Sequence, residues 1–213
     1  MSSIQDKFDK AMAQLPLVAI LRGLTPQEAA GIGDALVEAG FGLIEVPLNS
    51  PQPLESIALL RQRHPQAVVG AGTVLNTRQV LEVAAAGGEL VVSPDAKPAV
   101  IAASRQAGLI SLPGVMTPTE AFAALDAGAH GLKIFPAEMA SPAVVKALLA
   151  VLPAGTPILP VGGISPGNMA QWQIAGAAGF GIGSALYKPG KSATAVREDA
   201  HAFVAAYRGQ LRA

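Results

Sequence analysis

A repeating unit of short apolar runs and alanine-rich stretches constrains the fold of this 213-residue chain more than any other feature. Each unit contains an apolar run of strand length, a turn, a helical stretch and a stop that is usually Ala-Gly. Glycine at such a stop can take the left-handed conformation that closes the last helical turn. The pattern predicts eight strands, which are Leu17–Leu21, Leu43–Pro47, Ala67–Thr73, Leu90–Pro94, Leu109–Pro113, Gly131–Pro136, Ile158–Gly163 and Phe180–Leu186.

Helix starts are marked as clearly as helix ends. Thr25-Pro26-Gln27-Glu28 and Thr117-Pro118-Thr119-Glu120 have the capping-box pattern, with proline at the first helical position. Strands that are apolar on both faces and alternate with helices every ~20–25 residues are typical of a parallel sheet covered by helices. We therefore predict an α/β fold, a (β/α)8 TIM barrel preceded by a short N-terminal helix at roughly Ile4 to Gln14.

An open, doubly wound sheet is the competing architecture. Such sheets usually carry a glycine-rich dinucleotide-binding turn after the first strand, and Arg22-Gly23-Leu24-Thr25 is not one. Since no linker or low-complexity segment interrupts the repeats, we predict a single domain over residues 1–213.

Composition and charge argue against several classes of partner. Fifteen basic and fifteen acidic residues cancel, so no global field attracts nucleic acid or an anionic membrane. The chain has no cysteine, and its three histidines fall in places that suit structural roles, so we expect neither a metal nor another cofactor. No run approaches the ~20 apolar residues of a membrane helix, and we expect a cytoplasmic protein.

Two charged residues interrupt the apolar strands. Lys133 lies in the sixth predicted strand and Glu45 in the second, while Arg22 and Thr73 close the first and third. In a barrel, polar groups at the C-terminal ends of strands form the active site. A buried Lys–Glu ion pair without catalytic function is the structural alternative, and the residues alone allow both interpretations.

In a catalytic interpretation, Lys133 and Glu45 each have a role in the reaction. Burial and a nearby cation such as Arg22 lower the pKa of a lysine, and the free amine of Lys133 then attacks a ketone to form a Schiff base. Glu45 is the candidate for the proton transfers, because one carboxylate near the imine can serve several steps.

A phosphate site is predicted at the seventh and eighth strands. Gly162 and Gly163 end one, and Gly183 and Ser184 lie in the other. Barrels commonly bind phosphate through backbone N–H groups of the loops at these positions. In contrast, we expect Trp172 to be a packing residue, and Asp95 and Glu138 to be solvated loop carboxylates.

The combination of motifs resembles the 2-keto-3-deoxy-6-phosphogluconate/galactonate aldolase family of class I enzymes. The matching segments are Glu45, Gly70-Ala71-Gly72-Thr73-Val74, Pro113-Gly114, Lys133-Ile134-Phe135-Pro136 and Gly162-Gly163-Ile164. The resemblance implies cleavage of a phosphorylated keto-deoxy sugar acid to pyruvate and glyceraldehyde 3-phosphate by Lys133 and Glu45. It also implies that Arg22 and Thr73 lie near the carboxylate and keto end of the substrate, and that the enzyme is a homotrimer.

Two positions favour the galactonate branch of this family. Asn49 stands where gluconate enzymes usually carry arginine, and Val161 stands where they commonly place threonine before Gly-Gly. Valine cannot hydrogen-bond the C4 hydroxyl by which the two substrates differ. The gluconate epimer is the alternative substrate, and a catalytically silent sugar-phosphate-binding barrel is the alternative from another functional class.

Overall fold

A computed structural model of the chain describes residues 3–210. The predicted domain of residues 1–213 therefore extends beyond the described part at both ends. The strands are β1 (Leu17–Ile20), β2 (Leu43–Pro47), β3 (Val68–Gly72), β4 (Leu90–Val92), β5 (Ile110–Leu112), β6 (Gly114–Val115), β7 (Leu132–Ile134), β8 (Ile158–Pro160) and β9 (Phe180–Ile182). The α-helices are α1 (Ile4–Gln14), α2 (Pro26–Ala39), α3 (Pro53–Arg63), α4 (Thr77–Ala85), α5 (Pro98–Gln106), α6 (Pro118–Asp126), α7 (Pro142–Leu149), α8 (Met169–Ile174) and α9 (Ala193–Gln210).

All strand pairs are parallel, which confirms the predicted α/β class. Six strands form one sheet in the order β5-β4-β3-β2-β1-β9, and three form a second in the order β6-β7-β8. The arrangement corrects the prediction of eight strands, because the strand predicted at Leu109–Pro113 ends at Leu112 and a separate two-residue strand, β6, follows Pro113. Proline has no N–H to donate to a sheet ladder, so regular pairing stops there.

Backbone contacts connect the two sheets at both junctions. At the first, the His130 N–H donates to the Ser111 carbonyl at 3.0 Å, and the Lys133 N–H donates to the Pro113 carbonyl at 2.9 Å. At the second, Val161 forms an isolated parallel bridge with Gly181 of β9. The strands of both sheets therefore carry their C-terminal ends to a common side of the molecule.

The larger apolar cluster lies between the strands and the helices that cover them. It combines outward-facing strand residues such as Ile44 and Ile134 with helix residues such as Leu36, all fully buried. The predicted capping boxes at Thr25 and Thr117 are both present, and α2 ends at Gly40 with φ 105°. Trp172 is 4% exposed in this cluster, as expected for a packing residue.

A second apolar cluster fills the space enclosed by the strands at their N-terminal ends. Phe8 and Ala11 of α1 pack there against first residues of strands, including Leu43, Val68 and Leu90. Beside this contact, Lys7 of α1 and Arg61 both pair with the buried carboxylate of Glu89, Arg61 at 2.8 Å. Helix α1 thus covers the N-terminal end of the strands and leaves the opposite end open.

Within residues 3–210, no helix combines the length and apolar character that crossing a bilayer requires.

Candidate active site

Lys133 lies in the middle of the three-residue strand β7, between two fully buried aliphatic residues. Its side chain is only 7% exposed, and its ammonium group lies 4.4 Å from the centroid of the Phe135 ring. The pKa of Lys133 is lowered, mainly because burial disfavours the charged form. Glu45 opposes this shift and the Arg22 guanidinium adds to it.

Glu45 lies in β2 and is 2% exposed, so a carboxyl group is buried on the apolar side of a sheet. Burial raises its pKa to about 7, although the positive charges of Lys133 and Arg22 act in the opposite direction. Its Oε2 has no hydrogen-bond partner among residues 3–210. The carboxyl group can therefore hold or release a proton near neutral pH.

Gly72 makes room for the Glu45 carboxyl group. Glu45 and Gly72 lie on the adjacent strands β2 and β3, and a Cβ atom added at Gly72 would come 2.5 Å from Glu45 Oε1 and closer still to the rest of the carboxyl group. Glycine at the last position of Gly70-Ala71-Gly72 thus leaves the space that the Glu45 carboxyl group occupies. Any other residue there would push the carboxyl group away.

Glu45 and Lys133 line the same small cavity between the strands. Its volume is about 10 Å³, close to what one water molecule needs. In the described part of the chain, no carboxylate lies within 4.0 Å of Lys133 Nζ. The two groups therefore face a shared space and do not form the direct ion pair that the structural alternative requires.

A larger cavity of about 540 Å³ opens at the C-terminal ends of the strands. Ile20 and Val161 belong to the walls of both cavities, so the two spaces adjoin. The predicted phosphate-binding residues all line the larger one, namely Gly162, Gly163, Gly183 and Ser184. Gly162 and Gly163 have φ values of 112° and 63°, a left-handed region that favours glycine.

Arg22 follows β1 and also lines the larger cavity. Its Nη1 donates a hydrogen bond to Asn49 Oδ1 at 2.9 Å. The positive charge of the guanidinium contributes to lowering the pKa of both Lys133 and Glu45. Asn49 itself does not belong to either wall and reaches the site only through Arg22.

Thr73 is the other predicted site residue that lines neither cavity. Its φ of 57° is unusual, because a β-branched residue rarely adopts the left-handed conformation. Such backbone strain concentrates at functional sites. The structure thus brings eight of the ten predicted residues to the cavity walls, while Asn49 and Thr73 belong to neither wall.

Two charged residues of the larger cavity were missed as site residues. Glu138 is exposed, as expected, yet its side chain lies against the glycine turn, because a Cβ atom at Gly162 would be 2.8 Å from Glu138 Cδ. Lys188 lies in the loop after β9 and lines the same wall. The only available signal was that both follow the C-terminal end of a strand.

Asp95 and the histidines His64 and His130 belong to the wall of neither cavity. Asp95 pairs with Lys97 at 3.1 Å, and His64 lies 3.2 Å from Asp34. His130 accepts a hydrogen bond from the Ser111 N–H at the opposite end of the strands. Within residues 3–210, no group of three or more histidine, aspartate or glutamate side chains is arranged to hold a metal ion.

Comparison with known proteins assigns the chain to a family. Residues 8–200 match the family model described as KDPG and KHG aldolase. The chain belongs to this aldolase family. It is therefore an enzyme, a carbon–carbon lyase.

Individual relatives agree along nearly the whole chain. A Rhizobium meliloti (strain 1021) protein named "Probable 2-dehydro-3-deoxy-6-phosphogalactonate aldolase" is 50% identical over 203 residues, which cover 95% of this chain and 96% of that protein. The "2-dehydro-3-deoxy-6-phosphogalactonate aldolase" of Escherichia coli (strain K12) is 48% identical and covers 92% of this aldolase and 96% of its own length. The solved structure titled "Native KDPGal structure" superposes with a TM-score of 0.92 at 46% identity, covering 93% and 97% of the two chains.

Proposed function

We propose that this aldolase cleaves 2-dehydro-3-deoxy-6-phosphogalactonate to pyruvate and D-glyceraldehyde 3-phosphate through a Schiff base on Lys133. The observation that carries the proposal is the burial of Lys133 and Glu45 on one small cavity at the inner end of a larger one. A buried amine with a lowered pKa and a carboxyl group with a pKa of about 7 suit nucleophilic attack and proton transfer.

The reaction begins when the uncharged amine of Lys133 attacks the C2 carbonyl of the substrate. Glu45 delivers a proton to the oxygen, and loss of water from the carbinolamine leaves a protonated Schiff base. Glu45, now ionised, accepts the proton of the C4 hydroxyl. The C3–C4 bond then breaks, its electron pair passes to C3, and glyceraldehyde 3-phosphate leaves. Protonation of the resulting enamine at C3 and hydrolysis by one water release pyruvate and restore the amine.

The charged ends of the substrate suit opposite ends of the larger cavity. Arg22, beside the reacting groups, is the cation for the C1 carboxylate, and Thr73 supports the same end. The backbone N–H groups of the Gly162–Gly163 turn, with Gly183 and the Ser184 hydroxyl, suit the phosphate.

Val161 supports the choice of epimer. It is 8% exposed and belongs to the walls of both cavities, so a substrate carbon between the Schiff base and the phosphate would pass beside it. Its apolar side chain offers no hydrogen bond to the C4 hydroxyl. The names of both relatives described above specify the 6-phosphogalactonate substrate, which supports the same epimer for this aldolase.

Two measurements test this proposal. Sodium borohydride added with pyruvate should fix a pyruvyl adduct on Lys133, identified by peptide mass, and Lys146→Met on the exposed face of α7 should label as the unmodified chain does. Release of pyruvate from the two epimers should give the higher kcat/KM for the galactonate form. Labelling at another lysine, or a preference for the gluconate form, would contradict the corresponding part.

We also propose that the two sheets form one closed (β/α)8 barrel, a single domain, in a cytoplasmic homotrimer. The hydrogen bonds at Ser111 and Pro113 and the bridge between Val161 and Gly181 support closure of the barrel. The trimer rests on the family resemblance. Sedimentation equilibrium of the purified protein tests it, and a mass of one or two chains would contradict it.

A further inference from the structure

Three charged residues line the larger cavity, namely Arg22, Glu138 and Lys188. Arg22 is tied to Asn49 and shifts the pKa of both Lys133 and Glu45. Arg22 follows Ile20, which belongs to the walls of both cavities, whereas Lys188 follows Gly183 and Ser184 of the predicted phosphate site.

Glu138 makes the phosphate end less favourable for an anion than the glycines alone suggest. Cβ atoms added at Gly162 and Gly163 would lie 2.8 Å from Glu138 Cδ and 2.9 Å from Glu138 Cγ, so the acidic side chain lies along this turn. A carboxylate in this position repels a phosphate dianion at close range. Backbone N–H groups and one hydroxyl carry no net charge with which to offset this repulsion.

Lys188 is suited to supply that charge. The loop before it folds back on the phosphate site, because the N–H groups of Leu186 and Tyr187 donate to the Gly183 carbonyl at 2.9 and 3.0 Å. Tyr187 is 2% exposed and anchors the loop. Beyond it, the backbone N–H of Lys191 donates a hydrogen bond to the Lys188 carbonyl at 3.0 Å. The Lys188 backbone is thus held while its side chain is exposed.

The ammonium of Lys188 is also uncommitted within the described chain. No carboxylate among residues 3–210 lies within 4.0 Å of it, whereas the neighbouring Lys191 pairs with Asp199. Lysine is a compact point charge on a flexible stem, which suits a phosphate whose position shifts during bond cleavage.

We infer that Lys188 binds the phosphate group of the substrate and offsets Glu138, so that it selects phosphorylated over unphosphorylated substrates. The inference rests on the proposed aldolase reaction and adds to it a residue for substrate specificity. Lys188 has no part in the bond-breaking steps, because it lines the larger cavity and not the small one that Lys133 and Glu45 share.

The test compares two aldehydes in the reverse reaction, in which pyruvate adds to D-glyceraldehyde 3-phosphate or to D-glyceraldehyde. The ratio of the two kcat/KM values measures recognition of the phosphate. Lys188→Met should lower this ratio about 10-fold, the size expected when one hydrogen-bonded charge pair is lost. Lys146→Met removes an exposed lysine of α7 that lines neither cavity, and should leave the ratio unchanged.

A second variant tests the sign of the charge effect. Glu138→Gln should raise the ratio, and the Lys188→Met/Glu138→Gln double variant should recover part of the loss. An unchanged ratio in Lys188→Met, or an equal fall for both aldehydes, would overturn the inference. These results differ from a failure of the proposed function, in which the unmodified enzyme would condense pyruvate with neither aldehyde and trap no pyruvate on Lys133.

Discussion

Replacing Gly72 by alanine tests whether the position of Glu45 controls catalysis. The added Cβ would lie 2.5 Å from Glu45 Oε1 and nearer to the other carboxyl atoms, so the carboxyl group must retreat by about 1 Å or more to reach ordinary contact. Gly72 is not among the residues with positive φ, so alanine introduces no backbone strain of its own. The substitution therefore acts through contact with the Glu45 side chain.

The expected result is a loss of turnover in a folded protein. A displacement of ~1 Å at a reacting group can cost about 10²-fold in rate, and we expect kcat of Gly72→Ala to fall by about that factor. The assay couples pyruvate release to its reduction by NADH. Circular dichroism and thermal unfolding establish that the variant is folded.

Gly31→Ala is the matched control, because its added Cβ would meet only Ala193 Cβ at 3.8 Å. Gly31 lies inside α2, where alanine should leave kcat unchanged and stabilise the fold by about 0.5–1 kcal/mol. A folded Gly72→Ala variant with unmodified kcat would refute the reasoning, because Glu45 would then have no need of its observed position.

Three further outcomes are expected. Glu45, whose pKa is raised to about 7, is protonated below that pH and ionised above it, so the profile of kcat/KM against pH should contain a titration near 7. Glu45→Gln should remove this titration from the profile and lower kcat by about 10²–10⁴-fold. Burial and Arg105 lower the pKa of His130 from 6.5 to about 4. The unfolded chain therefore binds a proton more readily than the folded protein between these pH values, and the stability present above pH 6.5 is lost progressively as the pH falls to 4. Urea unfolding should show a loss on the order of 1–2 kcal/mol at pH 5 that His130→Gln lacks. Val161→Thr should shift the kcat/KM ratio of the epimers towards the gluconate form by about 10-fold, and an unchanged ratio would exclude Val161 as a specificity residue.

The strands and the two buried charges could be predicted because their signals are local. A parallel strand buried on both faces reads as a continuous apolar run, and Lys133 and Glu45 were conspicuous because each interrupts such a run. Glycine clusters at strand ends were informative for the same reason. The C-terminal ends of parallel strands meet on one side of the fold, so spacing along the chain was enough to bring these residues together.

The missed features depend on loop conformation and on neighbours that no local pattern specifies. Glu138 and Lys188 looked like ordinary exposed charges, and only the course of their loops brings them to the glycine turn. The left-handed backbone conformation of Thr73 could not be predicted from the sequence, because threonine normally avoids it. The interruption between β5 and β6 at Pro113 reflects a missing hydrogen-bond donor, which a pattern of hydrophobicity does not register.

The packing of α1 against the first residues of the strands also sets the order in which the molecule can be assembled. Helix α1 precedes all the strands in the sequence, but the apolar cluster that contains Phe8 and Ala11 includes residues as late in the sequence as Leu159. Contacts between segments so far apart in the chain form slowly, because a long loop must close before they are made. The apolar cluster around α1 is therefore complete only after β8 has been synthesised.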